Sequence, residues 1–147
     1  MARMSVTDYE LVGDLLYGSA RPLGGSKLGD EELIELAVDT FKEQPFCIVR
    51  HWMILDVMLS EFTEQEIKAQ GLDATVLYAQ AAVFDSQNEH SPGDSILSGY
   101  QCDFDGCIFE SKTTIFILAG RGARKHVSLP AVEAIAAAIK RVEKTYG

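Results

Sequence analysis

Fourteen consecutive residues, Phe46 to Leu59 (FCIVRHWMILDVML), are rich in β-branched and aromatic side chains and nearly free of charge. Such side chains pack well on a pleated surface and lose rotamer freedom in a helix, so the run reads as a long, mostly buried β-strand. Its odd positions, Cys47, Val49, His51, Met53, Leu55, Val57 and Leu59, are apolar except for one histidine. The alternation therefore predicts one face turned fully inward. The rest of the chain must supply its neighbours.

Thr75–Phe84 reads as a second strand, and Asp105-Gly106 as a two-residue type I′ hairpin turn between strand-like flanks. That turn would set Phe104 opposite Cys107, Cys102 opposite Phe109 and Asp103 opposite Ile108. With Ser111-Lys112 as a second tight turn, Phe116 and Leu118 join the phenylalanine face, and Ile115 and Ile117 join Ile108 on the other. Residues 7–17 place Leu11, Leu15 and Leu16 on one helical face. A second helix starts at Asp30 and carries Leu33, Leu36, Ala37, Val38 and Phe41 inward, until Pro45 forbids continuation. Thr63 and Glu66 form a capping box for a short helix over 64–70, with Gly71 at its end. Ser128 and Pro130 open a last helix with the stripe Val132, Ile135, Ala136, Ile139 and Val142. Residues 18–29, 85–94 and 120–126 read as loops, and 125–129 as a short strand. The sum is one α+β domain over 1–147, a mostly antiparallel sheet of five or six strands with two N-terminal helices and one C-terminal helix.

At 147 residues the chain can bury a core without staples. No apolar run approaches the ~18 residues that spanning a bilayer requires. The start, Met1-Ala2-Arg3-Met4-Ser5, leads into acidic residues rather than a secretory apolar segment, and the three cysteines make an odd set, so reduced thiols in a cytoplasmic protein are expected. Charge is segregated: residues 1–110 carry twenty acidic and six basic side chains, residues 111–147 two and seven. A net charge of −9 argues against nucleic acid as a partner, because such a body repels phosphate.

The segments YQCDFDGCIFESKTTIFILAGRGARKHVSL, VRHWMILDV and RPLGGSKLGDEEL together resemble an uncharacterised family of small bacterial single-domain proteins of unknown function. The resemblance covers most of the chain and implies a bacterial, single-domain protein. It implies no activity, substrate or site residue.

No catalytic or metal constellation passes a spacing test. On a strand rising ~3.3 Å per residue, Cys47 and His51 stand about 13 Å apart, too far to share a tetrahedral ion, and Cys102 with Cys107 would lack two ligands. No cofactor is called for. Cys47 or Cys107 with His51 is the thiol–base pairing to weigh, but nothing positions them together and His51 reads rather as a hydrogen-bonded core histidine. Arg50, Trp52, Ile54 and Asp56 share the opposite face of the strand and could line a pocket, but read rather as a cross-strand ion pair and a packing ring, and Asp85, His90 and Asp94 as loop residues that also offer an acid, a base and a carboxylate.

The basic cluster Gly120-Arg121-Gly122-Ala123-Arg124-Lys125-His126 is the best ligand candidate from sequence. Its glycines permit N–H groups to converge on an anion, and Arg121, Arg124, Lys125 and His126 add charge. Ile108, Ile115 and Ile117 form a candidate partner or self-association face, since soluble chains seldom leave such a patch open. The first expectation is a non-enzymatic bacterial protein-binding or regulatory module, from a mobile-element or defence setting in which small acidic domains hold basic partners. The alternative is a small-anion ligand domain or weakly signalled enzyme using the 120–126 loop.

Overall fold

The computed structural model describes residues 18–146 together with Glu10, Val12, Gly13 and Leu15. In chain order it contains β1 (Arg21–Gly24), α1 (Asp30–Phe41), β2 (Phe46–Met58), α2 (Glu61–Ala69), β3 (Thr75–Asp85), β4 (Ile96–Leu97), β5 (Asp103–Asp105), β6 (Ile108–Glu110), β7 (Ile115–Leu118), β8 (Arg121–Ser128) and α3 (Leu129–Tyr146). The four described residues of the first expected helix are helical, with Leu15 buried, whereas Leu11 and Leu16 of its expected face lie outside the described residues.

The long apolar run is the middle of the sheet. β2 pairs antiparallel with β3 along one edge. Its other edge carries β7 in its first half and β8 in its second, both parallel. Beyond these, β6 and β5 continue from β7, and β1 lies along β8. The sheet is therefore mixed, with eight strands rather than five or six, and is not the mostly antiparallel one expected from sequence. Local signals cannot announce parallel pairing, because its partners are brought together by a crossover of dozens of residues.

Both faces of β2 are covered, which is why its two halves each show four buried residues in a row. Cys47, Val49, Trp52 and Ile54 face a cluster built wholly from strands, with Leu77, Ala79, Phe109, Phe116 and Leu118, where the sheet curls onto itself. Met53, Leu55 and Val57 lie on the opposite face beneath Leu15 and the α3 residues Ala131 and Ile135. Phe46 and Ile48 lie beneath Leu33 and Ala37 of α1. The simple alternation fails at His51, whose φ of 55° falls where the partner changes from β7 to β8. Across the same point Val49 pairs with Leu118 but Met53 with Ala123, so the partner side holds one extra residue; Gly120 takes it up at φ 70°. His51 is exposed, not a core histidine.

Two turns differ from their expected form. The hairpin pairs Phe104 with Phe109 and Asp105 with Ile108, so its loop is Gly106-Cys107. Only Gly106 has positive φ (60°), the pattern of a type II′ turn, whereas type I′ would also demand it of the next residue. In this register the two phenylalanine rings stand edge to face, 6.5 Å apart. The following loop spans 111–114, because Glu110 pairs with Ile115. Both changes preserve the face assignment: Phe104, Phe109 and Phe116 still share one side, and Ile108, Ile115 and Ile117 the other.

α2 begins three residues earlier than expected, at Glu61, behind the N-cap Ser60, whose Oγ accepts from the Thr63 N–H. It ends in a Schellman motif, with Gly71 N–H donating to Lys68 and Leu72 N–H to Ile67. Ser128 Oγ accepts from Ala131 N–H at the start of α3, as its sequence suggests.

Candidate functional site

The basic segment 120–126 is not a loop. Arg121 to Ser128 form β8, inserted between β1 and β2, so its N–H groups serve sheet ladders instead of converging on an anion. Arg124 is spent on a neighbour: its Nε and Nη2 donate to both oxygens of Asp56 at 2.8 Å, and Thr75 Oγ1 adds a third bond at 2.9 Å. Burial pushes the Asp56 carboxyl up, but the bonds from Arg124 and Thr75 and the charges of Arg124 and His126 outweigh it and hold the group below the usual range. Lys125 Nζ donates to the Leu15 carbonyl at 3.1 Å. Arg121 and His126 are exposed.

The isoleucine face is occupied by the chain itself. Ile115 and Ile117 are buried and Ile108 half-buried, in one cluster with Leu33 and Ala37 of α1. Trp52 is the packing ring that its sequence context suggests, and its Nε1 donates to the Ala119 carbonyl at 3.2 Å. Arg50 pairs with Asp30 of α1, and the cross-strand ion pair on this face is the one between Asp56 and Arg124.

The structure instead draws attention to one end of the sheet, where β2 begins and β3 ends. Cys47 and Asp85 are directly paired across the two strands, so their side chains share a face. The chain then turns through 86–90 and brings His90 back over Asp85. Asp85 is 8% exposed and receives three bonds: Gln87 N–H at 2.9 Å, His90 N–H at 3.0 Å and His90 Nδ1 at 3.0 Å. Burial pushes its carboxyl up, and these bonds with the His90 charge outweigh that, leaving it ionised below the usual carboxylate range. An ionised carboxylate only accepts, so Nδ1 carries the proton and Nε2 is the remaining polar atom of the ring.

Asp85 and His90 line a cavity of about 310 Å³ with Glu89, Cys47, Phe116, Pro45, Gln87, Thr113 and Thr114. Phe116, Pro45 and Cys47 supply its apolar lining, and its polar side chains are two carboxylates, an imidazole, an amide and two hydroxyls. A second depression of about 200 Å³ shares Pro45, Thr113 and Thr114 with it and continues past Glu110 and Lys112. Asp94, the third residue expected with this pair, is elsewhere engaged: its carboxylate accepts from Ser91 N–H and closes the turn.

Burial first and the nearby Asp85 charge second push the Cys47 thiol up to about 12, which works against its use as a nucleophile. All three cysteines are free, Cys47 buried and Cys102 exposed. Oxygen and nitrogen atoms of Asp85, Glu89 and His90 lie within 4.8 Å of one another. Asp85 and Nδ1 are already committed to each other and to backbone N–H groups, so the set is built to present negative charge rather than to surround an ion. What it can do is hold a cationic hydrogen-bond donor beside an apolar lining.

Sequence reasoning marked Asp85 and His90 but missed Glu89, Thr113 and Thr114, which only the curl of the sheet brings to the same rim. A family model described as a domain of unknown function (DUF6957) matches residues 24–134. The chain belongs to this family. The matched span holds β2 to β8, α1, α2 and every residue of the cavity, so the site lies within the family's own domain. No curated protein and no solved structure matches the chain. Among the described residues no helix is long and apolar enough to cross a membrane.

Proposed function

We propose that the protein is a non-enzymatic binding module that takes a cationic side chain of a partner protein into the Asp85–Glu89–His90 cavity. The observation that carries this reading is the cavity's make-up: a buried, ionised Asp85 and a second carboxylate in one lining with Phe116, Pro45 and the protonated Cys47 thiol. Lysine and arginine have that division of character, an apolar stem and a charged head. The adjoining depression gives the partner's neighbouring residues somewhere to lie. A net charge of −9 would steer such a partner toward the surface. Three free thiols suit a reducing compartment, and a bacterial cytoplasm is the setting we propose.

The test is titration of a hexa-arginine peptide and, separately, of free arginine amide, by calorimetry at about 0.15 M salt, where long-range attraction is largely screened. Saturable one-to-one binding of the peptide is expected, with the free amide binding more weakly because it lacks flanking residues. Glu89→Lys should abolish it. Glu31→Lys on the exposed face of α1 makes the same change in net charge and should leave it nearly intact. Equal losses in both variants would mean that the peptide responds to overall charge and that the cavity is not the site.

A further inference from the structure

The same loop that builds the cavity places a titratable base inside it. We infer that His90 is an internal, proton-controlled competitor for the cavity: neutral, it keeps its bond to Asp85 but leaves the negative charge of Asp85 and Glu89 to be balanced by the partner's cation, and protonated, it becomes their counter-ion. This rests on the proposed cation site and concerns its regulation.

The geometry is specific. Nδ1 stands 3.0 Å from Asp85 Oδ2, and the ligand atoms of Asp85, Glu89 and His90 are within 4.8 Å of one another. In the neutral ring Nε2 accepts a hydrogen bond, which an ammonium or guanidinium can donate. In the imidazolium Nε2 donates and the ring carries a positive charge, so it opposes the same ligand by hydrogen bonding and by charge. Among the described residues, the other titratable groups lining the cavity are Asp85 at the end of β3, Glu89 on the loop of His90 and Cys47 on β2; the lining contributed from the β6–β7 side, Thr113, Thr114 and Phe116, carries no charge. Lys112, the nearest cation along that loop, points to Gln70, with Nζ 3.2 Å from Oε1. His90 is thus the one basic side chain lining the cavity among the described residues.

Binding of the cation and of the proton must then oppose each other reciprocally. The hexa-arginine titration is repeated from pH 8 to pH 5.5, a window in which imidazoles change charge and ordinary carboxylates do not. Affinity should fall about tenfold across it, and at mid-window binding should release protons, seen as a heat that depends on the buffer's ionisation enthalpy. His90→Asn keeps a donor for Asp85 but cannot titrate, so its affinity should be flat with pH. The proton release needs no variant and stands even if His90→Asn folds poorly. A wild type that binds at pH 8 with no pH dependence and no proton release overturns the inference and spares the site. A pH dependence that survives in a folded His90→Asn also overturns it. Absence of binding at pH 8, or indifference to Glu89→Lys, removes the site and the inference with it.

Discussion

Gly122 shows how much one side chain can decide. A Cβ there would run into the six-membered ring of Trp52, which is 1% exposed and fixed by its bond to Ala119. Gly122→Ala is therefore expected to cost ~1–3 kcal/mol, the usual penalty of overpacking, measured as a fall in denaturation midpoint. Arg124 reverses a sequence expectation. As part of an exposed loop, Arg121, Arg124 and Lys125 could be replaced by alanine at ~0–1 kcal/mol. Paired in both bonds to Asp56, at 26% and 22% side-chain exposure, Arg124 leaves a partly buried carboxylate when removed. Arg124→Ala alone should cost ~1–3 kcal/mol, while Arg121→Ala should be nearly silent. Asp56 and Asp85 both sit below their ordinary values, so the unfolded chain holds their protons more tightly. Stability from them is present above the unfolded carboxylate value of ~3.9 and is lost as pH falls through their lower folded values. Thermal melts of Asp56→Asn from pH 6 to pH 2 should lose less stability on acidification than those of wild type.

At the scale of elements, some of the capping chemistry was legible: Gly71 closes α2 and Ser128 opens α3, because each lies within a few positions of the N–H or C=O groups concerned. The N-termini of the other two helices were not: Gly29, with no side-chain bond, precedes α1 while Asp30 pairs with Arg50, and Ser60 instead of Thr63 caps α2. The hairpin was legible as a hairpin but not in its register. Two turns one residue apart both satisfy Gly106, and the choice fell to the opposed rings of Phe104 and Phe109. Gly106→Ala should destabilise by about 1 kcal/mol through its φ of 60°, with hydrogen exchange fastest in the hairpin. β1 was missed because an exposed edge strand of sequence Arg-Pro-Leu-Gly has no alternation to read. β8 was misread because Gly-Arg-Gly-Ala-Arg-Lys carries the composition of a loop. It forms a strand because β2 and β1 supply ladders on both its sides.

For the whole molecule, the covering of the isoleucine face predicts the behaviour of Ile115. Ile115→Glu would place a charge beneath α1, beside Leu33 and Ala37, so loss of folding is expected rather than a change of oligomeric state; circular dichroism and light scattering on the same sample distinguish the two. The sequence by itself determined which segments are strands or helices wherever the signal is a period, a cap or a turn, and it assigned the phenylalanines and isoleucines to opposite faces. It also settled that the body is acidic and that no two of its cysteines are required to pair. Only the tertiary structure decided that β2 lies between a parallel and an antiparallel neighbour, that Arg124 belongs to Asp56, and that Cys47, Asp85, Glu89, His90, Thr113 and Thr114 meet around one cavity. The physical reason is range: periods, caps and turns act over two to four residues, whereas the cavity's groups are separated by dozens and are assembled only when the curled sheet buries its inner face.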